Sequence, residues 1–178
     1  SRDGWVETLP MKGTAPRGAT PKEDAAQRTF LRNDPKNQAE NRMIVDLLRN
    51  DISRISEVGS LEVPELFRVE SYPTVHQMVS RVRAKLRPDV DFRDIFAALF
   101  PCGSITGAPK IRAMEIIDEV EPTRRGVYSG CIGYFGANGD MDSAIALRTG
   151  VIKDGTLYVQ AGGGVVADSE PEFEYQES

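Results

Sequence analysis

Apolar positions along this chain recur with two different periods. Between Thr20 and Asp51 the spacing is three and four residues, and Ile44, Leu47, Leu48 and Asp51 fall on one side of a helix together with Glu40. Two start signals frame that region. Thr20-Pro21-Lys22-Glu23 puts a cap residue, a first-turn proline and a glutamate in capping-box order, which predicts a helix reaching about residue 32. Asp34 and Pro35 cap and open a second helix almost at once. From 61 to 86 the texture changes to valines, aromatics and alternation broken by Pro64 and Pro73, which predicts strands over 66–72 and 75–84. A short helix follows over 92–99. The breaker-rich loop 101–110 then leads into a helix from Pro109 to about residue 120.

Beyond Pro122 the period returns to two. Strands are expected over 127–136 and 143–153, on either side of Asn138-Gly139, and Asp154-Gly155 turns the chain into a third strand over 156–161, an antiparallel meander. The glycines at 162–164 let backbone approach a ligand closely, and 165–167 extends the sheet. Ser169 with Glu172 resembles a capping box opening a last helix. That helix is unfinished at Ser178, and residues 1–10 read as a strand entered midway. The expectation is one domain over 1–178, the C-terminal portion of a longer one, cut at both ends.

Composition narrows the class. At 178 residues with 40% apolar and 28% charged, the chain can bury one substantial core. A net charge of −5 leaves no basic excess for nucleic acid or an anionic membrane surface, so an anionic substrate needs locally concentrated positive charge. Cys102 and Cys131 stand alone, without zinc or redox spacing, which fits a reducing, cytoplasmic setting. No stretch approaches a membrane span.

Several residues are candidates for chemistry. Backbone amides at the Pro109 helix start, with the hydroxyls of Ser104 and Thr106, form an anion seat or simply a tight capping turn. Glu174 and Glu177 are three apart on the last helix; they are either a solvated acidic helix start or, with Glu40, an oxygen-rich Mg²⁺ site. Arg148 lies in a segment suited to a buried strand and there requires a planar anionic partner. His76, the single histidine, is either a hydrogen-bonded structural residue or a catalyst. Lys12, in Pro10-Met11-Lys12-Gly13-Thr14, is by position one surface lysine among many.

Three segments change the standing of these residues. Glu40 to Asp51 (ENRMIVDLLRND), Pro101 to Asp118 (PCGSITGAPKIRAMEIID) and Ala161 to Ser169 (AGGGVVADS) resemble the chorismate-binding enzymes, which include anthranilate, aminodeoxychorismate, isochorismate and salicylate synthases. With the Lys12 segment, the likeness is greatest to component I of the aminodeoxychorismate synthases. The resemblance implies an α+β fold with helices on large antiparallel sheets. It implies that Glu40 and Glu177 ligate Mg²⁺ with Glu174 in support, and that Tyr128, Arg148 and the backbone at Gly163 and Gly164 hold a substrate carboxylate. Ser104 would lie near the substrate and His76 near a departing C4 oxygen. Lys12 matches the lysine that separates aminodeoxychorismate synthases from anthranilate synthases, where alanine is usual. The implied reaction is attack of its neutral amine on chorismate C2, followed by ammonia at C4. A glutamine amidotransferase subunit or domain would supply the ammonia.

Overall fold

The computed structural model describes residues 3–165 and 169–177, without the side chains of Phe173 and Glu177. The chain divides into two compact units, Ser1–Ser104 and Ile105–Ser178. Helix and antiparallel sheet are combined, as expected.

In the first unit the elements run β1 (Trp5–Thr8), β2 (Met11–Pro16), α1 (Pro21–Asn33), α2 (Pro35–Ser53), β3 (Glu62–Ser71), β4 (Val75–Lys85) and α3 (Phe92–Leu99). The helices start where the sequence signals place them. Thr20 and Glu23 form the full capping box of α1, and the Asp34 carboxylate accepts from the Asn37 N–H at the start of α2. Asp34 also ends α1, its own N–H donating to Phe30 O. One residue therefore closes one helix and opens the next.

Strand β4 is the axis of the sheet. β3 pairs along one edge, from Glu62 opposite Arg83 to Ser71 opposite His76, while β1 takes residues 82–85 and β2 residues 75–79 of the other edge. The strand expected over 1–10 is β1, and after Leu9-Pro10 a second strand, β2, continues along the same edge of β4. Alternation along β4 turns His76, Met78, Ser80, Val82 and Ala84 inward. Val82 and Ala84 pack with Val6, Val45 and Ile52, whereas Met78 packs with Ala15, Leu31 and Val69. Asn41 and Ser80, both fully buried, bond to one another at 2.6 Å. The opposite face carries charge: Arg81 lies near Glu7 and Glu65, Arg83 pairs with Glu62 and sits 5.2 Å from the Trp5 ring centre, and Lys85 reaches Glu57.

The second unit departs further from expectation. After the single turn α4 (Gly103–Thr106) come α5 (Lys110–Val120), the hairpin β5 (Cys131–Phe135) with β6 (Met141–Ile145), the hairpin β7 (Gly150–Lys153) with β8 (Thr156–Val159), and α6 (Pro171–Glu177). The meander is two separate hairpins. The strand expected across 143–153 stops because Arg148 adopts φ +50°, a left-handed conformation that no continuous strand contains. The ladder ends instead on Ser129 and Gly130, which exchange backbone bonds with Ala146. α6 opens at Pro171, two residues after Ser169. The predicted sheet extension over 165–167 falls largely on residues outside those described.

Candidate functional site

The best-built feature lies where β2 meets the first turns of α2. Met11 faces Val79 and Thr14 faces Gln77, so β2 advances three residues where β4 advances two. The extra residue is a bulge at Lys12-Gly13, a device that twists a strand and re-aims a side chain. Gly13 has φ +103°, and a Cβ there would meet Asn37 Oδ1 at 2.9 Å. The Lys12 carbonyl accepts from Asn41 Nδ2 at 3.1 Å, and its Nζ reaches Glu40 Oε2 at 3.4 Å. Asn37, Glu40 and Asn41 follow the three-four spacing of one helix face, and each addresses the bulge. The ion pair is 44% and 34% exposed, so it contributes in the surface range of about 0–1 kcal/mol. Its value is geometric: a primary amine and a carboxylate are presented side by side at the surface.

His76 is placed differently. It is fully buried, with Nδ1 2.8 Å from Ser71 Oγ and Nε2 3.0 Å from Asp24 Oδ1. A carboxylate only accepts, so Nε2–H donates to Asp24 and, in the neutral ring, Nδ1 accepts from the serine. Both ring nitrogens are thereby engaged inside the first unit. Asp24 also receives Arg17 through Nε at 2.6 Å and Nη2 at 3.0 Å, and the Gly18 N–H at 3.0 Å. The Arg17 guanidinium holds the Asp24 carboxyl well below the usual carboxylate range; the Gly18 and His76 bonds add to this, and together with Arg17 they outweigh desolvation.

In the second unit, Tyr128 is half-buried beneath the Arg125 guanidinium, 5.8 Å from its ring centre. Arg125 is itself fixed by Glu121, whose carboxyl it holds below the ordinary range, and reaches Ser129 Oγ at 3.4 Å. A Cβ built on Gly162 would stand 3.3 Å from the Tyr128 hydroxyl, so the phenol abuts the glycine run that contains the exposed Gly163 and Gly164. Arg148 is not in a buried strand: it is exposed, in the break between β6 and β7. Ser104, the last residue of the first unit, lies in α4, its Oγ 2.9 Å from Cys102 Sγ. α5 has Pro109 at its N-cap and no side-chain cap bond.

Of the expected carboxylates, Glu40 belongs to the first unit and the half-buried Glu174 to the second, while the Glu177 side chain lies outside those described. Within either unit, among the described residues, no three metal-ligating side chains converge. The donors are all carboxylate oxygens, which suit a hard divalent cation, and the Glu40 carboxylate is partly exposed and pairs with Lys12.

Over residues 1–178 the sequence matches the family described as chorismate binding enzyme. The chain belongs to that family. Among chorismate-binding relatives, aminodeoxychorismate synthase component 1 of Klebsiella aerogenes is 56% identical over 177 residues, 99% of this chain and 39% of the relative. Anthranilate synthase component 1 of Acinetobacter calcoaceticus is 49% identical over 176 residues, 99% of this chain and 35% of the relative. The solved anthranilate synthase component I of Streptococcus pneumoniae aligns with TM-score 0.88 at 46% identity, over 99% of this chain and 38% of that one. MenF, the menaquinone-specific isochorismate synthase of Escherichia coli, aligns with TM-score 0.86 at 26% identity, over 99% and 40%. The chain thus spans well under half the length of these chorismate-binding relatives.

Sequence reasoning missed Asn41, Ser80 and the Arg17–Asp24 pair. Asn41 did carry a signal, as a polar residue in register with Ile44, Val45 and Leu48 on the inward stripe of α2. Arg17 and Asp24 carried none.

Proposed function

We propose that this chain carries the nucleophile of an aminodeoxychorismate synthase, converting chorismate and ammonia to 4-amino-4-deoxychorismate. The observation that carries the reading is Lys12, presented by a bulge beside Glu40 in a chain of the chorismate-binding family. Lysine at this position is the feature by which the resemblance separates aminating enzymes of this kind from anthranilate synthases.

In the proposed reaction the free Lys12 amine forms a bond to ring C2, the two conjugated ring double bonds each move one position (C1=C2 to C1=C6 and C5=C6 to C4=C5), and the C4–O bond breaks. The hydroxyl leaves as water, taking a proton that balances the one shed by the new nitrogen centre. Ammonia then bonds to C4, both ring double bonds return to their original positions, and the C2–Nζ bond breaks, the departing nitrogen regaining the proton that the added ammonia sheds, which restores the amine. Glu40, with Glu174 and Glu177, would hold Mg²⁺. Bound there, the ion would supply counter-charge to Glu40 and electrostatic help to the departing oxygen. Tyr128 and the backbone at Gly163 and Gly164 are assigned to a substrate carboxylate, with Arg148 as the charge that joins them, and Ser104 to the substrate's surroundings. No proton transfer is assigned to His76, whose ring is buried and bonded at both nitrogens. A glutamine amidotransferase partner would deliver ammonia.

The near-equal identity to anthranilate synthases supports a second reading, formation of anthranilate on the same scaffold. Chromatography of the products formed with chorismate, Mg²⁺ and ammonium separates the two. 4-Amino-4-deoxychorismate from the unaltered protein and none from Lys12→Ala is the expected result; anthranilate, or full activity in Lys12→Ala, sinks the proposal.

A further inference from the structure

Asn41 touches Lys12 only through the main chain, and it is the hub of a buried hydrogen-bond chain. Its Nδ2 donates to Lys12 O at 3.1 Å and to Met78 O at 3.3 Å. Its Oδ1 accepts from Ser80 Oγ at 2.6 Å, and that hydroxyl accepts from the Phe67 N–H at 3.1 Å. Phe67 stands at φ +58°, inside the register shift of β3 between Glu65 and Arg68. One amide therefore links the irregularity of β2, the inner face of β4 and, through Ser80, the irregularity of β3. It does so one residue after Glu40, from the same helix turn.

A bulge removes a residue from regular ladder pairing, so its position depends on what else holds its backbone groups. Here that holder is a fully buried side chain whose amide meets two carbonyls and a hydroxyl. Such a network is stiff when complete and costly when half made. Asn41 is also fully buried in line with Ile44, Val45 and Leu48 of α2, where an aliphatic residue would serve packing alone.

We infer that Asn41 is a positioning residue, which sets the Lys12 amine beside Glu40 by holding the Lys12 carbonyl at the crest of the bulge. The inference rests on the reading of Lys12 as nucleophile for its catalytic consequence, and on geometry alone for its structural one. Asn41→Asp keeps the shape and the acceptor for Ser80 but loses the donor to Lys12 O. Asn41→Leu combined with Ser80→Ala removes both polar side chains, so that no hydroxyl is stranded and only the backbone groups of Lys12, Met78 and Phe67 lose a partner.

The test measures both variants, Lys12→Ala and the unaltered protein for product formation with chorismate, Mg²⁺ and ammonium. It also follows acetylation of Lys12, relative to exposed Lys22, by peptide mass spectrometry. Both Asn41 variants are expected to remain folded by thermal unfolding, to change the relative rate of Lys12 acetylation, and to lose about 10- to 100-fold in kcat with KM moving less than about threefold. If Lys12→Ala is inactive while a folded Asn41 variant stays within about twofold of the parent kcat, positioning is overturned and the nucleophile stands. If Lys12→Ala is active, the nucleophile reading fails, and the acetylation rates decide positioning alone. Unchanged Lys12 acetylation in the folded Asn41 variants overturns the inference under either result. Should one variant fail to fold, the other decides, since a buried charge and an apolar replacement fail for different reasons.

Discussion

Replacing Gly13 with alanine tests the bulge directly. Two costs are set by the structure. At φ +103° a side chain sits in a sparsely populated region, a strain of about 1–3 kcal/mol. The new Cβ also falls 2.9 Å from Asn37 Oδ1 and 3.3 Å from Asn37 Cβ, so Asn37 has to move. Asn37 Nδ2 bonds Asp34 Oδ2 at 2.8 Å, beside the cap bond that opens α2, and disturbing that cap adds about 1 kcal/mol. The expected loss is therefore about 2–4 kcal/mol. Gly59 provides the control: it has φ +82° with nothing within 4 Å of its built Cβ, so alanine there carries strain without collision. Urea titrations followed by circular dichroism give both losses, with unchanged slopes as the condition for comparing midpoints. Adding Asn37→Ala to Gly13→Ala should recover part of the deficit through a coupling between the two sites. A Gly13→Ala loss no larger than that of Gly59→Ala, with no coupling to Asn37, refutes the claim that the bulge is pressed against α2.

Acid sensitivity should centre on Asp24. Its carboxyl is lowered by Arg17, so its stabilisation is complete above the unfolded value near 4 and is lost as pH falls below it toward the folded value. Melting temperature should hold from neutral pH to about 5 and then fall, and Asp24→Asn should start lower at neutral pH and fall less steeply; parallel curves would remove Asp24 from the acid limb. Glu40→Gln should weaken Mg²⁺ binding by calorimetry about tenfold or more while leaving the melting temperature nearly unchanged, because the Lys12 pair it breaks is a surface one. Equal Mg²⁺ affinity in the variant would exclude Glu40 as a ligand.

Local chemistry explains which parts of the fold could be read from the sequence. Thr20 with Glu23, and Asp34 with Pro35, act within one helical turn, and both helix starts fall where those residues place them. Alternation over 75–84 likewise marks β4, because burial of every second residue leaves a direct trace in residue type. The break at Arg148 left no such trace: its segment alternates like a strand, and only the left-handed backbone ends it. At the candidate site, the family segments mark Lys12 and Glu40 as residues of interest. Their meeting depends on a helix 28 positions further along the chain and on a register slip that Gly13 alone hints at. His76 illustrates the same limit, since its partner Asp24 lies 52 residues upstream and no local pattern announces the pairing.

The shared cap at Asp34 has a consequence for how this region can change length. Because α1 ends and α2 begins on one residue, no slack exists between them. An inserted residue would either unwind a turn of one helix or rotate α2 by about 100°. Rotation would carry Glu40 and Asn41 away from β2, and unwinding would dissolve the turn that bears Asn37. Variation in loop length, which surface connections usually absorb, is therefore barred at this joint, and the distance in sequence from the cap to Glu40 acts as a fixed ruler for the lysine opposite.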